Sequence, residues 1–243
     1  MYKNKIFNSS CEIMKELPDN SVHLVVTSPP YNLKKEYEDF ADIDEYLVFL
    51  IKVFKEVKRV LVDGGRIAIN IANTGRKPYL PLSHYITKML LDDGFLMRGE
   101  IIWNKGASAG VSTAWGSYMS ASNPILRDVH EYIIVLSKSS YKRCEKGIST
   151  ITKEQFAEYT KSIWNINAAS AKALNHPAPF PVELPYRLIQ LYSFKDDIVL
   201  DPFMGSGSTA LAAIKSNRFY VGYEKTEKYI TIANNRISQL QLL

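Results

Sequence analysis

The chain has 243 residues, 46% hydrophobic and 23% charged, with a net charge of +5; this is a soluble globular composition with a mild preference for polyanions such as nucleic acid. That length fits one large domain, or one domain with an insertion, and allows a full α/β core. No apolar run approaches the roughly 20 residues that cross a bilayer, and no signal-peptide pattern is present, so we expect a cytoplasmic protein. Cys11 and Cys144 lack CxxC spacing and predict neither a disulfide nor a metal site.

The first predicted strand ends in a proline corner. Residues 21–26, SVHLVV, form a short valine-rich run, and SPPY follows one residue later. Pro29 and Pro30 have no backbone N–H to donate and hold the preceding residues extended. Two interpretations fit this corner. It is either a stiff turn that lays Tyr31 on the core, or a set of acceptors, the Ser28 hydroxyl and nearby carbonyls, for a flat substrate with N–H donors.

Helices and strands alternate after this corner. Apolar residues at helical spacing predict a helix over residues 44–61, which DGG at 63–65 is expected to end. The next predicted elements are a strand at 66–71, a helix at 82–91 and a strand at 98–103. This alternation predicts a parallel α/β sheet.

The alternation breaks in the middle of the chain. Residues 104–129 are rich in Gly, Ser and Ala, show neither helical nor strand periodicity, and are too long for an ordinary connection. A strand returns at 130–136 and a basic, polar stretch follows it. Such a segment is either functional or disordered. Three bulky side chains within it argue against disorder: Trp115, Tyr118 and Arg127.

The last third returns to the α/β pattern and contains a glycine-rich turn, DPFMGSGSTA. The predicted elements around it are a helix at 182–192, strands at 197–200 and 220–223, and helices at 208–215 and 227–240. Gly205, Gly207 and Ala210 have the G-x-G-x-x-A spacing that lets a ligand approach the backbone. Glu224 follows the next strand, near the sequence spacing at which an acidic side chain contacts the ribose hydroxyls of such a ligand. The pattern predicts an adenosine-containing cofactor.

Asp201, at the start of this turn, bears on the cofactor class. The turn itself fits a dinucleotide or S-adenosylmethionine. A carboxylate at this position repels a pyrophosphate and favours a cationic ligand, and S-adenosylmethionine has both a sulfonium and an ammonium group. The alternative role of Asp201 is to cap the following helix, and Phe203 and Met204 also suit the core.

Together, the two motifs resemble the amino-methylating DNA methyltransferases of the β arrangement. In that family a (Ser/Asp/Asn)-Pro-Pro-(Tyr/Phe) catalytic motif precedes target recognition, and a DPFxGSGT-type cofactor motif comes near the C-terminus. Here TSPPYN, IIWNK, HEYIIVLSK, HPAPFPVEL, DPFMGSGST and VGYE occur in that order over almost the whole chain. The resemblance implies the α/β, Rossmann-like sheet of S-adenosylmethionine-dependent methyltransferases, with permuted motif order and a small irregular target-recognition insertion.

The resemblance also implies roles for individual residues. The implied catalytic residues are Ser28, Pro29, Pro30 and Tyr31: the serine hydroxyl and the Pro29 carbonyl hold both hydrogens of an exocyclic amine, and the tyrosine stacks on a flipped base. Transfer is then direct, without a metal or a nucleophilic cysteine. Ser10 stands where relatives often have an aspartate and would keep part of its adenine contact. The implied cofactor residues are Asp201, Pro202, Phe203, Gly205, Ser206, Gly207, Glu224, Ser10 and Phe180.

The irregular region is the predicted target-recognition segment. We divide the chain into a catalytic half (1–105), a target-recognition insertion that also completes the sheet (106–161), and a cofactor-binding half (162–243). The alternative for the insertion is a solvated basic face around one strand. Phosphate contacts, base-edge contacts and stacking are expected from four residues: Arg127, Lys138, Trp115 and Tyr118.

Serine in the first catalytic position resembles the N4-cytosine subgroup, whereas N6-adenine enzymes more often have Asp or Asn there. We therefore favour N4 of cytosine in double-stranded DNA, with N6 of adenine as the alternative. Remoter alternatives are an RNA or protein-amide methyltransferase, opposed by the motif order, and an NAD-dependent oxidoreductase, opposed by Asp201. A companion restriction endonuclease and a homodimer are partner hypotheses, and no membrane partner is expected.

Overall fold

The computed structural model describes residues 2–31, 42–75, 78–106, 116–168 and 181–242. Its strands are β1 (Lys5–Asn8), β2 (Val22–Thr27), β3 (Leu61–Ile71), β4 (Thr74–Gly75), β5 (Tyr79–Leu80), β6 (Phe95–Asn104), β7 (His130–Lys138), β8 (Ile163–Asn165), β9 (Ile198–Asp201) and β10 (Phe219–Glu224). Its helices are α1 (Ile43–Val60), α2 (Leu82–Asp92), α3 (Lys153–Tyr159), α4 (Glu183–Tyr192), α5 (Ser208–Lys215) and α6 (Glu227–Gln241). Within these ranges, none of the helices has the length and apolar character needed to cross a membrane.

Eight strands form one mixed sheet in the order β1-β10-β9-β2-β3-β7-β6-β8. The first five strands in this order are parallel to one another. β7 is antiparallel to both of its neighbours, β3 and β6, and β8 pairs with β6 in parallel. β4 and β5 make a separate antiparallel pair. The predicted α/β fold is confirmed, with β7 as an antiparallel strand inside a mainly parallel sheet.

The main sheet is buried between two layers of helices. α1 and α2 cover one face, where Leu50 and Ile86 join a buried apolar cluster. α4, α5 and α6 cover the other face, where Leu188 joins a second cluster. Side chains alternate along a strand, so Val25 of β2 belongs to the first cluster and Leu24 to the second. Because both faces are buried, the centre of β2 is a continuous apolar run, Leu24 to Val26.

The strands that build the candidate site meet at one edge of the sheet, which we call the site edge. β2, β3, β9 and β10 are parallel, so their carboxyl ends lie together there. β6 also ends at the site edge and β7 begins there, because β7 runs antiparallel to its neighbours. β2 lies between β9 and β3, which places the proline corner beside the glycine turn.

Most predicted helices and strands agree with the structure to within a few residues, including the end of the first helix, but the predicted role of DGG as the helix terminator is wrong. α1 ends at Val60, and β3 begins at Leu61 and contains DGG (63–65). The register between β2 and β3 shifts near the start of this pairing. The glycines therefore accommodate an irregularity inside a strand instead of ending a helix. The prediction also omitted β1, β4, β5, β8 and α3.

The segment predicted as the target-recognition insertion, 106–161, contains part of the main sheet. β7 lies within it and occupies the interior of the sheet, between β3 and β6. α3 also falls within this range and begins with a capping box formed by Thr152 and Gln155. The division of the chain into three functional segments stays a prediction.

Candidate active site

A cavity of about 750 Å³ opens at the site edge of the sheet. This volume is in the range of small-molecule sites, about 300–1,000 Å³. The proline corner lines the cavity with Ser28, Pro29, Pro30 and Tyr31, and the cofactor motifs line it with Phe203, Gly205, Ser206 and Glu224. The structure therefore brings together two motifs that are far apart in sequence.

The proline corner directs its hydroxyl groups towards the neighbouring strands. Ser28 Oγ lies 3.0 Å from the phenol oxygen of Tyr31. That phenol donates to Glu131 Oε2 at 2.8 Å and accepts from Asn70 Nδ2 at 2.8 Å. Asn70 Nδ2 also donates to Glu131 Oε2 at 2.6 Å, and Lys105 Nζ forms an ion pair with Glu131 Oε1 at 2.5 Å. The network joins the ends of β2, β3, β6 and β7.

The number of available protons fixes the direction of the Ser28–Tyr31 bond. A phenol has one proton, and Tyr31 donates it to Glu131, whose carboxylate can only accept. Ser28 is therefore the donor in its bond to Tyr31. Its oxygen keeps lone pairs for a donor in the cavity, which is the arrangement that an amine requires.

The protein environment keeps the Tyr31 phenol protonated. Burial raises the pKa of Tyr31 well above its ordinary value, and the negative charge of Glu131 raises it further. The phenol thus remains a hydrogen-bond donor at neutral pH. Its ring packs beside the buried cluster under α1 and α2, and the predicted stacking of this ring on a base stays a prediction.

Sequence reasoning did not identify Asn70, Lys105 and Glu131 as site residues. Asn70 is 3% exposed and Glu131 is 8% exposed. Both stand in apolar runs, IAINIA and HEYIIVL, and polar groups are seldom buried without a specific partner. A polar residue inside an apolar run could therefore have marked Asn70 and Glu131 as site residues. Lys105 follows its strand and lies in no such run, so the sequence does not mark it.

The glycine turn between β9 and α5 has left-handed backbone at both glycines. Gly205 has φ of 50° and Gly207 has φ of 84°. A Cβ at Gly207 would lie 2.9 Å from the Cβ of Ala233 on α6, so the turn and this helix are in close contact. Glu224 accepts from the backbone N–H of Gly205 at 2.9 Å and from that of Thr226 at 2.8 Å. Glu224 and α6 therefore hold the turn from two sides.

Asp201 lies beneath the turn and does not line the cavity. Its carboxylate, 1% exposed, accepts from the hydroxyls of Thr27 at 2.7 Å and Thr209 at 2.6 Å, and from the Phe203 N–H at 3.0 Å. Burial raises its pKa to about 6 despite these hydrogen bonds. The structure thus corrects the expectation that Asp201 faces a cationic ligand: the residue ties β2, the turn and α5 together.

Three other predicted cofactor residues also lie off the cavity, and a fourth lies outside the described residues. Pro202 and Gly207 are buried parts of the turn that do not line the cavity. Ser10 Oγ donates to Glu12 Oε2 at 2.9 Å, while the residues on either side of Ser10 line the cavity. Phe180 is the one outside the described residues. A direct adenine contact by Ser10 stays a prediction.

The charge of the cavity wall comes from residues that the prediction mostly did not name. Two lysines line the cavity, Lys52 and Lys225, against five carboxylates. The carboxylates are those of Glu12, Asp42, Asp44, Glu45 and Glu224. Apolar surface comes from Phe49 and Phe203, whose ring centroids are 6.0 Å apart. A negative wall with aromatic surface favours a cationic ligand that has a flat apolar part.

Cys11 lines the cavity but is not in a form that can act as a nucleophile. Burial raises the pKa of its thiol to about 12, so the thiol is neutral at physiological pH. Cys144 is exposed. Over the described ranges, no three His, Cys, Asp or Glu side chains are grouped so that they could hold a metal ion.

The predicted DNA contacts lie at two different edges of the sheet. Tyr118, 67% exposed, and the half-buried Arg127 belong to the connection from β6 to β7, which leaves and rejoins the sheet at the site edge. Lys138 ends β7 at the opposite edge, where its Nζ donates to the Leu61 carbonyl at 2.6 Å. This placement separates Lys138 from the site edge and argues against its predicted DNA contact. Trp115 lies outside the described residues.

Residues 22–235 match the model of a family described as DNA methylase, of the N6/N4 methyltransferase type. The Type II methyltransferase M.MjaVI of Methanocaldococcus jannaschii is 40% identical over 164 residues, which cover 66% of this chain and 84% of that protein. The Type II methyltransferase M.MthZI of Methanothermobacter thermautotrophicus is 30% identical over 273 residues, which cover 97% of this chain and 77% of that protein. The residues matched by the family model include both the proline corner and the glycine turn.

A solved structure with the same fold is TTHA0409 of Thermus thermophilus, described as a DNA modification methylase. It superposes with a TM-score of 0.80 at 31% identity, covering 97% of this chain and 95% of that chain. Its complex with S-adenosyl-L-methionine superposes with a TM-score of 0.77 at 30% identity, covering 97% and 94% of the two chains.

Proposed function

The chain belongs to the N6/N4-type DNA methylase family, and from this premise we propose that it methylates N4 of cytosine in double-stranded DNA. Its cofactor is S-adenosylmethionine. The proposal is supported by Ser28, whose hydroxyl oxygen is available as an acceptor at the cavity that the glycine turn also lines. Serine at this position resembles the N4-cytosine subgroup, and N6 of adenine is the alternative.

The cavity fits this cofactor in charge and in size. Its negative wall favours the sulfonium and ammonium groups, and its volume admits a nucleoside with a side chain. The residues that would hold the cofactor are Phe203, Gly205, Ser206 and Glu224, and the carboxylate of Glu224 suits ribose hydroxyls. When bound, the cofactor supplies an electrophilic methyl group.

The chain's own residues make the amine reactive and hold it in place. An exocyclic amine is a weak nucleophile because its lone pair is delocalised into the ring. The Ser28 hydroxyl oxygen and the Pro29 carbonyl accept its two hydrogens and draw the nitrogen towards tetrahedral geometry, which frees the lone pair. The base must leave the duplex to enter the cavity, and positioning with electrostatic stabilisation then drives direct transfer.

Target recognition is proposed for the connection from β6 to β7. Its Arg127 and Tyr118 offer phosphate or base-edge contact and stacking, and it leaves the sheet beside the proline corner. A companion restriction endonuclease is proposed because the relatives above are named Type II methyltransferases. A homodimer and a cytoplasmic location stay predictions. The DNA methylase family leaves the RNA, protein-amide and NAD-dependent alternatives without support.

The modified nucleoside tests the base assignment directly. Purified protein is incubated with S-adenosylmethionine and genomic DNA, and the DNA is digested and analysed by mass spectrometry. We expect N4-methylcytosine, loss of product with Ser28→Ala, and normal product with Ser21→Ala, which changes a serine at the opposite edge of the sheet. N6-methyladenine as the sole product would overturn the choice of cytosine.

A further inference from the structure

A hydrogen-bonded chain leads from the cavity to a buried carboxylate. It begins at Ser28 Oγ, passes through the Tyr31 phenol at 3.0 Å and reaches Glu131 Oε2 after a further 2.8 Å. Each hydroxyl donates to the next group, so every proton in the chain points away from the cavity. Methyl transfer to an amine produces one proton that has to leave, and this chain is oriented to carry it.

We propose that Glu131 accepts the proton that the methylated amine releases, through the hydroxyls of Ser28 and Tyr31. The nitrogen lone pair forms the new N–C bond, and the methyl–sulfur bond breaks with its electron pair on sulfur. The nitrogen then has an extra proton. That proton moves to Ser28 Oγ, the Ser28 proton moves to the Tyr31 oxygen, and the Tyr31 proton moves to Glu131 Oε2. Glu131 ends as a neutral carboxyl group, and both hydroxyls are restored.

The direction of this transfer follows from acid strength. A methylated ring amine with an extra proton is a strong acid, because losing that proton restores the conjugation of nitrogen with the ring. A carboxylate is therefore a sufficient base at the end of the chain. Serine and tyrosine hydroxyls serve as carriers, because each gives up one proton as it takes another.

The surroundings of Glu131 suit a carboxylate that is temporarily protonated. Asn70 Nδ2 donates to the same oxygen, Oε2, at 2.6 Å and keeps it aligned with Tyr31. Lys105 pairs with the other oxygen, Oε1, and leaves Oε2 to Tyr31 and Asn70. The side chain of Lys105 is 26% exposed and that of Glu131 is 10% exposed, so the far end of the network reaches water. The positive charge thus moves from the cavity towards solvent.

The inference rests on amine methylation by this family and not on which base is used. An N4 amine and an N6 amine each release one proton after methylation. The test therefore counts methyl groups transferred to DNA, whichever base receives them. Finding methyladenine would change the base assignment and leave this inference standing.

The experiment measures the single-turnover rate of methyl transfer with radiolabelled S-adenosylmethionine and DNA. We expect Glu131→Gln and Tyr31→Phe each to lower this rate by about 10² to 10⁴-fold, the usual contribution of general acid–base catalysis. The double variant should be no slower than the slower single variant, because both changes interrupt one chain. Affinities for cofactor and DNA should stay within about threefold of the original protein, a difference of at most about 0.65 kcal/mol.

Controls separate proton transfer from a structural role. Lys105→Gln removes the ion pair but keeps the acceptor, so it should slow transfer much less than Glu131→Gln. Glu100→Gln, which changes an exposed carboxylate on β6, should leave the rate unchanged. In Glu131→Ala, added sodium formate should raise the single-turnover rate by at least about tenfold, because a small carboxylate can replace the missing base.

Two results would overturn the inference. One is a Glu131→Gln rate within about threefold of the original protein; the other is an equal loss in Lys105→Gln and Glu131→Gln without formate rescue. The second result would assign the Lys105–Glu131 ion pair a purely structural role. If the Glu131 variants do not fold, Tyr31→Phe still decides, because it keeps the ring and removes only the hydroxyl: an unchanged rate would overturn the chain.

Discussion

Replacing Gly207 by alanine should damage the glycine turn through two separable effects. Gly207 has φ of 84°, and a residue with a side chain in the left-handed region costs about 1–2 kcal/mol. The added Cβ would also lie 2.9 Å from the Cβ and 3.2 Å from the Cα of the buried Ala233 on α6. Overpacking of this kind costs typically about 1–3 kcal/mol. The sum is a loss of about 2–5 kcal/mol of unfolding free energy.

Gly94→Ala is the matched control. Gly94 follows α2 and has φ of 85°, but a Cβ there would meet the flexible end of Lys58 at 3.4 Å. This variant should lose the backbone contribution alone, about 1–2 kcal/mol. The difference between the two variants therefore isolates the packing of α6 against the turn.

Equilibrium unfolding in urea gives the two free energies, and calorimetric titration gives the affinity for S-adenosylmethionine. We expect Gly207→Ala to bind the cofactor more weakly at a temperature where it is still folded, because the turn or α6 must move to admit the methyl group. Gly94→Ala should bind as the original protein does. Equal unfolding free energies and equal affinities in the two variants would refute the reasoning.

Two further predictions concern charged residues. Arg127→Ala should weaken DNA binding and reduce its salt dependence, whereas Lys138→Ala should change neither; fluorescence anisotropy at several salt concentrations checks this, and equal losses would contradict the placement of Lys138. The folded-state pKa of Asp201, about 6, is above its ordinary 3.8, so the folded chain binds more protons between these values. Its unfolding free energy should therefore fall by about 2 kcal/mol as the pH rises from about 4 to about 6. Asp201→Asn should remove this fall in urea titrations, and an unchanged fall would refute it.

Elements with long buried stretches could be predicted from sequence, because burial leaves a periodic apolar pattern. α1 and α4 are of this kind, and the predicted range of α4, 182–192, differs from the structure by one residue. β1 and β8 each have only two consecutive apolar residues and exposed ends, too little to form an apolar run. α3 exposes most of its surface, so its capping box at Thr152 and Gln155 was the main signal available.

The site was predictable where its chemistry is local in sequence. The proline corner and the glycine turn each contain their polar groups and their backbone constraints within a few residues. Glu131 lies 100 residues from Tyr31 and becomes its partner only because β7 lies beside β3. Lys138 and Arg127 were both predicted to contact DNA, but Arg127 precedes the start of β7 and Lys138 is its last residue. The direction of a strand in a sheet decides which end faces the site, and composition does not reveal that direction.

The order of the motifs along the chain does not determine how the site is assembled. β2 pairs with β3, which follows it in sequence, and also with β9, near the other end of the chain. Thr27 and Asp201 end these two strands, and their side chains form a hydrogen bond of 2.7 Å across 174 residues of sequence. A buried carboxylate needs such a partner, so the bond also favours this strand pairing over others. Any order of segments that leaves β2 beside β9 places the amine-holding corner beside the cofactor turn. The permuted order is therefore compatible with an undisturbed site, because the two halves meet through sheet pairing and not through a connecting loop.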